Sequence, residues 1–165
     1  MLNLRIRPLT EADIPLVCHI ARTIWQATYA AWISQAQIDY MLTNRYGPTL
    51  LRAQLNDAHH TWRIAWWGDE MAGFVHAHLR LPACKIEKLY ILPHYQRQGL
   101  GRALIDEIKS FASRSAGTEL WLQVNRHNTC AIAAYQHYGF VTREARVFDI
   151  GGGFVMDDFV MTMSL

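Results

Sequence analysis

Residues 85–104 read Lys85-Ile-Glu-Lys-Leu-Tyr-Ile-Leu-Pro-His-Tyr-Gln-Arg-Gln-Gly-Leu-Gly-Arg-Ala-Leu104. From Ile86 to Leu92 the side chains are mostly β-branched, aromatic or aliphatic, the composition of a buried strand. Pro93 has no N–H to give to a ladder, so pairing should end there. Gly99 and Gly101 allow a tight turn and a close approach to the backbone. Leu100, Leu104, Ile108 and Phe111 then recur at helical spacing. A strand that feeds a helix through a glycine turn aims several free N–H groups in one direction, with the positive end of the helix dipole behind them. That arrangement suits a phosphate or diphosphate.

Working outward, Leu4 and Ile6 alternate with Arg5 and Arg7 as a first strand. Thr10-Glu-Ala-Asp13 resembles a capping box with Asp13 in place of glutamate, and Ile14, Val17, Ile20, Ala21 and Ile24 form one helical face running to about Tyr29. From Ala30 to Asp57 the pattern predicts two helical pieces. Ser34 caps the first, Gly47-Pro48 interrupts, and Leu50, Leu51 and Leu55 face inward in the second. Thr61–Trp67 and Met71–Leu81 read as a hairpin about Gly68-Asp-Glu70. After the central strand, the helix from Leu100 runs to about Ser115, with Gly117 as its C-terminal cap. A strand follows over Leu120–Val124, then a helix from the Asn128 cap to Gly139, then a closing strand pair, Phe140–Phe148 and Phe154–Met163. The sum is a mixed α/β chain with helices on a central sheet, and no repeat or linker divides residues 1–165.

Composition narrows the function. At 165 residues, 51% hydrophobic and 18% charged, the chain is globular. A net charge of +2 with no basic cluster gives no case for nucleic acid. Cys18, Cys84 and Cys130 are widely spaced and odd in number, which favours a reduced, cytoplasmic setting over a disulfide framework. The start, Met-Leu-Asn-Leu-Arg-Ile-Arg, lacks the apolar core of a signal peptide, and no apolar run has the ~18 residues of a membrane span.

Three phosphate-binding readings compete at the central turn. A P-loop needs a Gly-Lys pair, which the chain lacks. A dinucleotide fingerprint needs a third glycine where Leu104 stands. The third reading rests on Gln96-Arg-Gln-Gly-Leu-Gly101, which resembles the Gln/Arg-x-x-Gly-x-Gly/Ala motif of the GNAT N-acetyltransferases. Asn128, Ala131, Tyr135, Gly139 and Phe140 are similar to that superfamily's C-terminal motif, and the element order matches over nearly the whole chain.

The resemblance implies one domain over residues 1–165 with the α/β (α+β) GNAT fold. That fold is a mixed, mostly antiparallel twisted sheet of about seven strands flanked by about four helices. It implies acetyl-CoA as co-substrate, held at its diphosphate by Arg97, Gln98, Gly99, Leu100, Gly101 and Arg102, and at its pantetheine arm by the backbone of Leu89, Tyr90 and Ile91 and by Asn128. Tyr135 then matches the acid that protonates the departing thiolate. Glu87, expected to share its face with Lys85, Leu89 and Ile91, is the candidate base; histone-acetylating relatives carry theirs two positions earlier, where this chain has Lys85.

The acceptor is expected to be a small-molecule primary amine, with a protein N-terminus or lysine as the alternative enzyme reading. A non-catalytic acyl-CoA module and an NAD- or ATP-binding domain are the alternatives of other classes. Trp25, Tyr29, Trp32, Tyr40 and Tyr46 either line an amine pocket or fill the core. Asp157-Asp158 either attracts a cation or marks a turn. His76 and His78 share a strand face at the acceptor cleft; as a pair without a third ligand they make no metal site, and no metal is expected. Family analogy allows a homodimer through the C-terminal strands.

Overall fold

The computed structural model describes residues 4–165; the N-terminal reading over Met1 to Asn3 lies outside the described residues. The elements are β1 (Leu4–Pro8), α1 (Ile14–Tyr29), α2 (Gln35–Arg45), α3 (Pro48–Leu55), β2 (His60–Trp67), β3 (Glu70–Arg80), β4 (Ala83–Ile91), α4 (Leu100–Arg114), β5 (Glu119–Asn125), α5 (Thr129–Tyr138), β6 (Val141–Gly151) and β7 (Phe154–Ser164). The seven strands form one sheet in the order β1-β2-β3-β4-β5-β7-β6. Every pairing is antiparallel except β4 with β5.

Each face of the sheet carries its own core. On one, Val17, Ile20 and Ile24 of α1 meet Ile38 and Met41 of α2, Leu51 of α3 and Phe74 of β3. On the other, Leu104, Ile105 and Ile108 of α4 pack on Leu120 and Leu122 of β5, with α5 contributing Ile132 and Tyr135. Each fully buried aliphatic side chain contributes about 2 kcal/mol.

The ends of the helices follow local chemistry. Asp13 accepts from the Thr10 N–H at 2.9 Å and the Thr10 hydroxyl at 2.6 Å, and takes the Arg7 guanidinium through two 2.8 Å bonds. Ser34 Oγ accepts from Gln37 N–H and Asn128 Oδ1 from Ala131 N–H, each at 3.2 Å, so both expected caps form. Two expectations need correction. Leu50 lies on the exposed side of α3, because Leu51 takes the inward position on that two-turn helix. Gly117 is not the left-handed residue closing α4: Ala116 adopts φ 61°, and the Gly117 N–H returns to Ala112 O at 2.8 Å.

The site is positioned by an irregularity in β4. His76 of β3 pairs with Lys88 and the next residue, Ala77, with Ile86, which leaves Glu87 opposite no residue. This is a β-bulge, and it reverses the in–out alternation of the strand beyond it. Past the bulge β4 also parts from β5. The parallel pairing covers only Ala83–Ile86 against Glu119–Leu122, whereas β5 stays paired with β7 on its other edge from Glu119 to Asn125. The result is a V-shaped opening in the middle of the sheet.

Candidate active site

The turn before α4 is a chain of unused donors. Arg97 and Gly99 both adopt left-handed backbone, with φ 60° and 86°. The first bond into the helix runs from Ala103 N–H to Gly99 O at 3.0 Å, so the N–H groups of Arg97 to Arg102 have no acceptor among the described residues. A Cβ on Gly99 would meet nothing within 4 Å, so the turn is open to a ligand. Arg97 and Arg102 are exposed beside it, Arg102 with only a long 3.8 Å pairing to Asp106. Gln98 bonds back to His94 O at 3.0 Å and Leu100 is buried, so these two shape the turn through backbone and packing. The second glycine has a different reason. A Cβ on Gly101 would lie 2.8 Å from the Tyr138 hydroxyl, so Gly101 lets α4 approach α5.

From this turn the free edge of β4 leads into the V. Leu89, Tyr90 and Ile91 pair with β3 through Val75, Phe74 and Gly73, and no strand covers their other edge. An extended chain with amide groups fits there as an added strand. Asn128 lies across the opening, at the start of α5. The free N–H cradle, the open edge and the flanking arginines together fit a diphosphate joined to an amide-bearing arm.

Opposite the cradle, a cleft of about 80 Å³ opens on the α1–α2 side of the sheet. Trp25, Tyr29, Tyr46 and Tyr90 form its aromatic wall, with the Tyr29 and Tyr90 hydroxyls 3.5 Å apart. Of the five aromatics considered from sequence, Trp25, Tyr29 and Tyr46 line the cleft and also fill the core. Trp32 is partly exposed, and Tyr40 donates to Ile150 O at 3.0 Å, anchoring the β6–β7 turn. Tyr135 of α5 is half-buried, packed edge-on to Phe140 at 5.8 Å between ring centroids. Burial first, then the Tyr29 hydroxyl, raises its pKa, and the Tyr135 hydroxyl in turn contributes to raising that of Tyr90. Tyr135 therefore remains a proton-bearing phenol at neutral pH.

The carboxylates divide sharply. Glu87 bonds Lys85 Nζ at 3.0 Å and faces Arg45 at 3.6 Å. Burial pushes its carboxyl up, but Lys85, Lys88 and Arg45 together outweigh burial and hold it below the usual range. The bulge corrects its expected neighbours: Glu87 shares its face with Lys85, Lys88 and Tyr90, whereas Leu89 and Ile91 pack on the α4 side. The Asp157-Asp158 pair is not a turn but the middle of β7. Asp157 is taken by Arg126 at 2.8 Å. Asp158 points into the cleft, 5% exposed, and its Oδ1 has no hydrogen-bond partner. Burial and then Asp157 push its pKa up to about 6. Sequence alone offered Asp158 only as half of an acidic pair; the strand parity of β7, with Val160 and Met156 buried beside it, was the available signal that it points inward.

A turn of free N–H groups, a free strand edge and an aromatic cleft thus meet at one gap in the sheet. The model of the acetyltransferase (GNAT) family matches residues 20–140. The chain belongs to this family. The spermidine N(1)-acetyltransferase of Thermoplasma acidophilum is 22% identical over 160 residues, covering 94% of this chain and 97% of that one. The [ribosomal protein bS18]-alanine N-acetyltransferase of Escherichia coli K12 is 37% identical over 135 residues, covering 82% and 79%. The crystal structure of the PaiA N-acetyltransferase from Thermoplasma acidophilum in complex with coenzyme A superposes with a TM-score of 0.83 at 23% identity, covering 98% of this chain and 99% of that one. The GNAT fold expected from the two motifs is the fold observed, with seven strands and a fifth helix from the division of residues 35–55. This GNAT chain is an N-acetyltransferase. Among its described residues no helix is long and apolar enough to cross a membrane.

Proposed function

We propose that the enzyme acetylates a primary amine of a small molecule by direct attack on the thioester. The observation that carries this reading is the buried Asp158 carboxylate, whose Oδ1 has no hydrogen-bond partner, in a cleft of about 80 Å³ walled by tyrosine and tryptophan. An ammonium gains there from the carboxylate and from the aromatic faces. The chemistry then demands that the amine lose a proton before it attacks. Asp158, near 6, matches that task at neutral pH, whereas Glu87 is held ionised between Lys85 and Arg45 and serves to fix those cations.

Acetyl-CoA supplies the activated carbonyl. The Arg97–Arg102 turn holds its diphosphate, and the Leu89–Ile91 edge with Asn128 aligns its arm. A backbone N–H of Tyr90 or Ile91 polarises the carbonyl. As the C–S bond breaks, Tyr135 gives its proton to the departing sulfur and the second proton of the attacking nitrogen restores the phenol, so the products leave as an amide and a neutral thiol. The reading includes a cytoplasmic protein made of one domain and a homodimer joined through β6 and β7, which gel filtration tests.

A protein N-terminal amine is the second reading, favoured by the 37% identity to the ribosomal-protein acetyltransferase. Thiol release from acetyl-CoA decides between them, measured with small amines and with an alanine-initiated peptide. Small amines are expected to turn over at lower concentration than the peptide; the reverse order overturns the small-molecule assignment.

A further inference from the structure

A second cavity, of about 380 Å³, adjoins the amine cleft beneath α3. Arg45, Glu87 and Lys88 line both, so the two share a wall at the β4 bulge. Beyond that shared wall the amine cleft adds Lys85 and Asp158, whereas the far cavity adds Arg80, Asp57 and three histidines. The far cavity is lined by Lys88, Arg45, Arg80, His60, His76 and His78 against Asp57 and Glu87. Glu87 is already committed to Lys85 and Arg45. Asp57 is exposed and bonds His59 at 3.0 Å.

Lys88 is the anomaly. It is 6% exposed, yet no carboxylate lies within 4 Å of Nζ among the described residues. Its nearest polar neighbour is His76 Nδ1 at 3.3 Å, and the rings of Tyr46 and Trp62 lie at 5.2 and 5.3 Å. A buried ammonium without an anion is costly, and an anion entering the cavity removes that cost. Burial pushes Lys88 down to about 7; of its charged neighbours, Glu87 opposes this and Arg45 and Lys85 add to it. The histidines continue the same surface. His76 Nε2 lies 2.8 Å from His60 Nδ1, and His60 stacks on His78 at 4.0 Å. Burial, then Lys88, holds His76 neutral, with its two ring nitrogens engaged by Lys88 and His60, and burial, then Arg80, lowers the pKa of His78 beside them. Arg80 stands exposed at the rim, without an acidic partner among the described residues.

We propose that this cavity is the second half of the acceptor site and takes a carboxylate carried by the same molecule whose amine sits at Asp158. The inference rests on the acetyl-transfer reading and makes it specific: the acceptor is an amino acid-like amine with an acidic end. Lys88 and Arg80 bind the acid, and Asp158 binds the amine. A polyamine places its second ammonium against Lys88, Arg45 and Arg80, where like charges repel it.

The test compares straight-chain ω-amino acids with n-alkylamines and α,ω-diamines of matched length, reading thiol release from acetyl-CoA. For at least one length the amino acid is expected to exceed both comparators by about tenfold in kcat/KM, the range of one charge-assisted hydrogen bond. Lys88→Met and Arg80→Gln each bring that ratio close to one. Equal or faster turnover of alkylamines or diamines at every length overturns the proposal and leaves acetyl transfer intact. A calorimetric titration of glutarate into the CoA-bound protein reads the cavity without chemistry. Saturable binding weakened about tenfold in Arg80→Gln supports the site even where no amine is acetylated, which would remove the catalytic reading alone. Absence of saturable binding, or unchanged binding in the variant, overturns the anion site.

Discussion

Glu87 and Lys88, consecutive on β4, project to the same face of the sheet. Regular alternation forbids this, and the bulge at Glu87 permits it. The pair places a clamped carboxylate and a nearly unpaired ammonium side by side at the point where β4 leaves β5.

Glu87→Gln tests which role that carboxylate has. As the group that fixes Lys85 and Arg45, its loss is expected to lower kcat/KM by about tenfold without displacing the acid limb of the pH–rate profile. A loss of about a thousandfold together with disappearance of the acid limb makes Glu87 the base.

Asp158→Asn is expected to trade activity for stability. Its folded-state pKa of about 6 lies above the usual value of 3.8, so the folded protein holds this proton more tightly than the unfolded chain. Stability therefore falls as pH rises from about 4 to about 6, by about 3 kcal/mol at most, and stays lower above that range. The asparagine variant escapes this loss. It should melt at higher temperature than the parent at pH 7, while kcat/KM drops at least about a hundredfold. An unaltered acid limb near pH 6 removes Asp158 as the base.

Tyr135→Phe is expected to lower kcat by about a hundredfold and to leave acetyl-CoA affinity within about threefold, since only the phenolic proton is lost. Burial already keeps that proton in place at neutral pH, so the parent profile should show no Tyr135 limb below pH 10. Equal turnover in the two proteins moves the acid elsewhere.

Gly99→Glu is expected to abolish acetyl-CoA binding in a folded protein. A Cβ there meets no protein atom, so bulk is not the obstacle; left-handed backbone at φ 86° and a carboxylate facing a diphosphate are. Gly99→Ala separates the two effects, keeping most binding at a stability cost of about 1 kcal/mol. Calorimetry with CoA reads both, and retained affinity in the glutamate variant places the diphosphate at another turn.

Gly73→Ala should destabilise by about 3 kcal/mol or more, because its Cβ would fall on the Tyr90 carbonyl and lie 2.7 Å from Ile91 Cδ1. Denaturant melts measure it. A midpoint equal to the parent's shows that β3 and β4 can separate at that pair without cost.

Much of this was legible in the chain. The run Lys85–Leu104 named a strand, a glycine turn and a helix because local composition and spacing decide those elements, and Asn128 and Gly139 marked both ends of α5. The turn proposed to hold the cofactor was legible for the same reason, since its donors are consecutive backbone N–H groups. The acceptor side was not. Glu87 faces Lys88 and Tyr90 instead of Leu89 and Ile91 because of one unpaired residue, and a bulge leaves no mark in hydrophobic alternation when charged residues occupy it. Asp158 and Lys88 lie 70 positions apart, and only the parting of β4 from β5 brings both to one cleft. Sequence thus determined the fold and the half of the site built from neighbouring backbone. Tertiary structure alone decided which carboxylate is free and which cation lacks a partner, because pairing and desolvation are properties of groups that meet only across the sheet.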